Sequence, residues 1–159
     1  MNLPERKHIR LKEYDYSTPG TYFVTVCAYE HRNLFARIAS GENGAELSLT
    51  AFGCIARDRL CALEQRCPGL RIEKYVVMPN HIHALIAIEK AEKPVDLTAA
   101  VCAFKSLTTR ECHRLDAKLR VFQTSFYDHV VRGTADYEQI WQYIDNNPAK
   151  WAEDRFFRE

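Results

Sequence analysis

The sequence predicts an α+β fold: a ferredoxin-like split βαβ domain with a central antiparallel sheet and an extra C-terminal helix. Two observations predict it. Segments of β character at 21–28, 70–78, 81–88 and 126–132 are interleaved with two helical stretches, in the order strand, helix, strand, strand, helix, strand. The signals that start and stop helices fall between them, with Thr50 or Ser48 and then Asp96 as N-caps and Pro68-Gly69 as a stop. In this arrangement the third strand lies in the middle of the sheet.

Each element has its own warrant. Thr21-Tyr22-Phe23-Val24-Thr25-Val26-Cys27-Ala28 is dense in β-branched and aromatic residues and follows Pro19-Gly20, the pattern of a buried strand. Residues 36–49 read as a small hairpin around Gly41-Glu42-Asn43-Gly44, with Asn-Gly as the turn signal. The first helix carries Phe52, Ile55, Ala56, Leu60 and Leu63 on its apolar face; the second carries Leu97, Val101, Phe104 and Leu107 or Thr108. Pro79-Asn80 joins the second and third strands. A last helix runs from about 135 to 146, closed by Pro148, which disfavours helical geometry at Asn147. With no repeats, low-complexity tracts or linkers, residues 1–159 are expected to form one domain.

Composition narrows the class without naming a function. An apolar fraction of 47% and a charged fraction of 27% are those of a globular protein with a real core. No apolar run is long enough for a membrane helix and the N-terminal residues lack a secretory pattern, so a cytoplasmic protein with no membrane partner is expected. The six cysteines contain no CxxC pair and read as small core residues. The net charge is only +1, but it is uneven. Arg6, Lys7, Arg10 and Lys12 cluster near the start, and Lys105, Arg110, Arg114, Lys118 and Arg120 cluster over 105–120. Such patches fit a phosphate backbone or an ordinary solvated surface equally well.

The third strand carries the first chemical signal. Ile82, Ala84, Ile86 and Ile88 fall on one face, while His81 and His83 share the other, where two imidazoles can converge on one ion. Such a site needs a further protein ligand. The last helix has a core stripe of Tyr137, Ile140, Trp141 and Ile144, and at its polar flank Tyr143 and Asn147 stand four residues apart, a phenol and an amide one turn from each other.

Val76-Val77-Met78-Pro79-Asn80-His81-Ile82-His83 resembles the His-hydrophobe-His motif of the HUH endonucleases. More narrowly, the chain is similar to the single-tyrosine transposases of bacterial insertion sequences and to the REP-associated tyrosine transposases. The same resemblance extends over Arg10-Leu11-Lys12-Glu13-Tyr14-Asp15-Tyr16, Tyr22-Phe23-Val24-Thr25-Val26-Cys27, Ala103-Phe104-Lys105-Ser106, Phe126-Tyr127-Asp128-His129-Val130-Val131-Arg132 and Tyr143-Ile144-Asp145-Asn146-Asn147-Pro148.

That resemblance implies metal-dependent cleavage and rejoining of one DNA strand through a 5′-phosphotyrosine. His81, His83 and Asn147 are the implied ligands of Mg²⁺ or Mn²⁺, and Tyr143 is the implied nucleophile. The implied substrate is single-stranded or hairpin DNA, including palindromic repeats. Arg6, Lys7, Arg10, Lys12, Lys105, Arg110 and Arg132 are candidate phosphate contacts, and Tyr14, Tyr16 and Tyr127 are candidate base-stacking residues. His129 is a further candidate for DNA binding or for capping its strand. Tyr127, Tyr137 and Tyr75 are rival nucleophiles, but only Tyr143 has an amide one turn later. No nucleotide cofactor is expected, since a phosphodiester exchanged for a phosphodiester keeps its energy and no G-x-x-x-x-G-K-[ST] loop is present. The chain ends 16 residues after Tyr143, which favours a monomer over a homodimer. A domesticated protein that holds repeat DNA without cutting it is the alternative, and a hydrolase using water as nucleophile is a third reading.

Overall fold

The computed structural model describes residues 14–159. Arg6, Lys7, Arg10 and Lys12 therefore lie outside the described residues. Strand β1 (Gly20–Cys27) is followed by a hairpin of β2 (Ala36–Gly41) and β3 (Gly44–Leu49), then helix α1 (Ala51–Cys61) and the single turn α2 (Leu63–Arg66). Strands β4 (Leu70–Val77) and β5 (His81–Ile88) precede α3 (Leu97–Cys112), β6 (Tyr127–Val130) and α4 (Gly133–Asn146). The sheet runs β4-β5-β1-β6 with every pairing antiparallel, so β5 is central, as the split βαβ order requires.

Local chemistry sets the boundaries. Thr50 Oγ1 accepts from Gly53 N at the start of α1, and Asp96 Oδ1 accepts from Ala99 N at the start of α3. Gly53 also lets α1 lie close to the preceding loop: a Cβ there would stand 1.9 Å from the Phe35 carbonyl oxygen. In the hairpin the turn is Glu42-Asn43, flanked by the paired Gly41 and Gly44, rather than Asn43-Gly44. Gly44 takes the left-handed φ of +104° outside the central pair, because its missing Cβ makes that conformation accessible. The edge strand β6 is shorter than the β-rich sequence around it, and α4 starts at Gly133, two residues earlier than its periodicity suggests.

Two apolar layers enclose the sheet. On one face, Val24 and Val26 of β1 and Ile82, Ala84 and Ile86 of β5 pack with Ala56 and Leu60 of α1 and Val101 and Phe104 of α3. On the other, Val76, Met78 and Leu85 pack with Ile140 and Ile144 of α4, while Ile38 and Leu47 of the hairpin close the rim. Burying a side chain such as Ile144 contributes roughly 1.5–3 kcal/mol. The stripe read from the sequence of α4 is thus the face that docks, on the side of the sheet opposite α1 and α3.

The edge strand β4 fixes how α4 sits. A bulge between Ile72 and Lys74 interrupts the register at Glu73, which accepts a hydrogen bond from the Tyr137 hydroxyl. Lys74 pairs with Asp145 at 2.6 Å and lies 4.2 Å from the centre of the Trp141 ring. These contacts, with the buried isoleucines, orient the helix that carries Tyr143.

Candidate active site

Alternation along β5 puts His81 and His83 on the α4 face with ring centres 4.5 Å apart. Both are buried, at 0% and 2% exposure. Their Nδ1 atoms are already engaged: His81 Nδ1 lies 2.8 Å from Asn80 Oδ1, and His83 Nδ1 lies 2.7 Å from Thr25 Oγ1 on β1. The Asn80 amide orientation is set by two carbonyls, since its Nδ2 donates to Phe156 O at 2.6 Å and to His31 O at 3.3 Å. Its oxygen therefore faces His81, whose Nδ1 carries the proton and whose Nε2 presents a lone pair.

Helix α4 brings Tyr143 to this pair. Its ring meets His83 at 5.3 Å, edge to face, and Phe23 at 6.1 Å, yet the residue stays 43% exposed. Asn147, the C-cap of α4, is buried one turn later. The four residues singled out by chemistry in the sequence are therefore gathered in one place. Of the rivals, Tyr137 is bonded to Glu73 and Tyr75 lies on β4 against the α1 and α3 core. Tyr127 lies on the outer strand β6, where its ring meets Arg155 and Phe156.

The chain after α4 completes the site. A 3₁₀ turn at Trp151–Glu153 leads to Asp154, whose Oδ2 accepts from Asn147 Nδ2 at 2.9 Å and lies 3.8 Å from His81 Nε2. Asp154 Oδ1 accepts from Phe156 N, and the Phe156 ring packs 4.7 Å from that of His81. Candidate ligand atoms of His81, His83 and Asp154 all fall within 4.8 Å of one another. Asp154 was not recognised from sequence because residues 149–159 have no periodicity that ties them to the histidines. Asn80 lies within the motif beside His81, but only the fold reveals its role, and Thr25 is paired with His83 solely by strand register.

Electrostatics and hydrogen bonding point the same way. Burial pushes His81 down to about 4, opposed by the Asp154 charge and the Asn147 amide, and burial holds His83 well below its ordinary value. Both are neutral imidazoles, the form that ligates metal. Burial and the Asp154 charge raise the Tyr143 pKa, against Arg155 and Asn147, which lower it. Among the described residues, five buried side-chain atoms lack a hydrogen-bond partner, and three of them, His81 Nε2, His83 Nε2 and Asn147 Oδ1, belong to this cluster. Leaving such a group unsatisfied costs roughly 1–3 kcal/mol, so three acceptor atoms left open in one cluster fit the chemistry of a divalent cation site.

The other candidate residues are placed as follows. Lys105 Nζ donates to the carbonyls of Gln123 and Thr124, tying the loop before β6 to α3. Arg110 is exposed and lines an open groove of about 640 Å³ with Lys105, His113 and Arg120. Arg120 stacks on Tyr29 at 4.3 Å. Tyr14 shares a hydrogen bond with Tyr22 and packs on the core, as does the buried Tyr16. His129 Nε2 lies 2.8 Å from Asp136 Oδ2, which also accepts from Arg132 N and so holds the entry to α4. Those bonds, the Arg132 amide first, keep the Asp136 carboxyl below its ordinary range.

Residues 60–147 match the family model described as "Transposase IS200 like". The chain belongs to the IS200-like transposase family. The matched region begins at the end of α1 and closes at Asn147, so it contains His81, His83 and Tyr143 and stops before Asp154. This is a family of DNA-processing enzymes. A protein of Haemophilus influenzae is 30% identical over 98% of this chain and 94% of its own length. Among solved structures, a REP-associated tyrosine transposase bound to a REP hairpin superimposes with a TM-score of 0.66 at 23% identity, covering 89% of this chain and 73% of that one. A putative transposase from Deinococcus radiodurans R1 gives 0.51 at 17% identity, covering 88% and 99%. These two likenesses establish that the fold is shared. Among the described residues no helix is long and apolar enough to cross a membrane.

Proposed function

We propose that the chain cuts and rejoins one strand of hairpin-forming DNA, with Tyr143 as nucleophile and His81, His83 and Asn147 as ligands of Mg²⁺ or Mn²⁺. The observation that carries this reading is the convergence of a half-exposed tyrosine with three buried, unpartnered ligand atoms on two neutral histidines and one amide. The ion would supply Lewis-acid polarisation of the scissile phosphate and offset its charge. Asn80 Oδ1 accepts a hydrogen bond from His81 Nδ1 and so leaves the His81 Nε2 lone pair ready, and the Thr25 hydroxyl engages Nδ1 of His83 so that its Nε2 is the nitrogen left for the ion.

Tyr143 Oη attacks the scissile phosphorus in line, its proton passing to water. A bond from phosphorus to the tyrosine oxygen forms as the P–O3′ bond breaks, and the departing 3′ oxygen takes a proton to become a free hydroxyl. One phosphodiester replaces another, so the hydroxyl can reverse the step with no nucleotide cofactor. The rings of Trp151 and Phe156 lie 6.1 and 4.7 Å from that of His81, so the segment after α4 shields this imidazole from bulk water.

Arg110 and Arg132 are exposed and suited to phosphates, together with Arg6, Lys7, Arg10 and Lys12 ahead of the described residues. Lys105, Tyr14 and His129 act mainly by holding the loops and strand around the site. Tyr127 offers a ring beside the covering segment for base stacking. The REP-hairpin complex of the structural neighbour supports repeat-hairpin DNA as substrate. A monomer working in the cytoplasm completes the reading.

The test is incubation with single-stranded repeat-hairpin DNA from beside the chain's own gene, with Mn²⁺ or Mg²⁺, read on denaturing protein gels. A metal-dependent covalent adduct supports the reading. Hairpin binding without an adduct under either metal favours a protein that holds repeats without cutting them.

A further inference from the structure

We propose that Asp154 is a direct ligand of the divalent ion, a carboxylate supplied by chain that lies beyond the matched transposase region. This rests on the reading of His81 and His83 as metal ligands.

Three observations converge on it. First, the Asp154 side chain is only 1% exposed, and its Oδ2 lies 3.8 Å from Nε2 of His81, which is neutral and so supplies no compensating charge. A buried carboxylate is costly unless a cation or a metal compensates it. The neighbouring Arg155 guanidinium lies over the rings of Phe156 and Tyr127 instead, at 4.5 and 5.4 Å. Second, Asp154 is held where a ligand is needed. Its Oδ1 is fixed by Phe156 N, the Phe156 carbonyl is tied to Asn80 Nδ2, and Asn80 in turn holds His81. The carboxylate and the imidazole are thereby referenced to the same side chain. Third, Asp154 sets the Asn147 amide. Asn147 Nδ2 donates to Asp154 Oδ2, which leaves Asn147 Oδ1 buried and without a partner.

The resulting set is two imidazole nitrogens, one amide oxygen and one carboxylate oxygen. That mixture of nitrogen and hard oxygen donors suits Mn²⁺ or Mg²⁺, whose Lewis acidity would act on a phosphate bound there. The single carboxylate lowers the site charge to +1 with the ion bound, enough to attract one phosphodiester. The amide one turn after the tyrosine then works as a pair with Asp154 rather than alone.

The experiment is Mn²⁺ titration of the full-length protein without DNA, read by electron paramagnetic resonance of free Mn²⁺, for wild type, Asp154→Asn, His81→Ala and Glu153→Gln. The exposed neighbour Glu153 controls for general loss of negative charge. We expect Asp154→Asn to weaken Mn²⁺ at least roughly tenfold, His81→Ala to weaken it too, and Glu153→Gln to match wild type. If His81→Ala loses Mn²⁺ while Asp154→Asn binds as wild type does, Asp154 is no ligand and the histidine site stands. If neither variant weakens Mn²⁺, the histidine site is wrong and this assignment falls with it. A second measurement is independent of affinity. Asp154→Cys loaded with Co²⁺ should show a sulfur-to-cobalt charge-transfer band absent from wild type, and a Co²⁺-loaded variant without that band contradicts the assignment.

Discussion

Asn80 Oδ1 accepts a hydrogen bond from His81 Nδ1 across 2.8 Å, and the same amide reaches the C-terminal segment through Phe156 O at 2.6 Å. One buried side chain thus fixes the proton position on His81 and anchors the chain that covers it. Asn80→Ala should lower Mn²⁺ affinity about 10–100-fold, in the range for removal of a group that orients a metal-ligating histidine. Titration with Mn²⁺ checks this; wild-type affinity in the variant would mean that the His81 orientation does not depend on Asn80.

Stability of the metal-free protein should depend on pH through the two histidines. Burial pushes His81 down to about 4 and His83 well below its ordinary value, whereas each titrates at about 6.5 in an unfolded chain. Below about pH 6.5 the unfolded state binds protons that the folded state refuses. Stability is therefore lost as the pH falls from about 6.5 toward 4, on the order of 3 kcal/mol from His81 alone. Urea denaturation at pH 7.5, 6 and 5 reads this directly. His81→Gln should flatten the curve, and an equally steep decline in that variant would place its origin elsewhere.

Ile144 is 1% exposed and belongs to the layer that seats α4 on the sheet. Ile144→Ala should destabilise the fold by about 2–5 kcal/mol and slow adduct formation, because Tyr143 loses its support. Denaturation midpoints and adduct yields test both halves. A large stability loss with unchanged adduct formation would show that Tyr143 does not depend on that packing.

DNA binding should weaken steeply with salt despite the net charge of +1, because the contacts are local. Arg110→Ala and Arg132→Ala should each reduce the slope of log K against log salt by roughly one. Fluorescence anisotropy with a labelled hairpin over a salt series measures it; unchanged slopes would remove these arginines from the interface.

Much of the fold was legible because its signals are local. Thr50 and Asp96 cap their helices, Pro68-Gly69 stops one, and the aliphatic row from Ile82 to Ile88 marks the face of β5 that lies under α1 and α3. The pairing of His81 with His83 on one strand face and of Tyr143 with Asn147 on one helix flank was legible through period-two and i, i+4 spacing, while the roles assigned to them came from the family resemblance. The sequence did not reveal what depends on long-range register. Thr25 reaches His83 across 58 residues, and Asp154 reaches His81 only after the chain turns back from α4. Lys105 shows the opposite case: its charge suggested phosphate contact, while tertiary packing engages its ammonium with loop carbonyls.

Tyr143 is the proposed point of covalent attachment to DNA. The most direct measurement compares wild type, Tyr143→Phe and Tyr127→Phe on single-stranded repeat-hairpin DNA with Mn²⁺, counting DNA-linked protein on denaturing gels. An adduct is expected in wild type and Tyr127→Phe and none in Tyr143→Phe, with hairpin binding retained. An adduct that survives in Tyr143→Phe would contradict it and move the chemistry to another tyrosine.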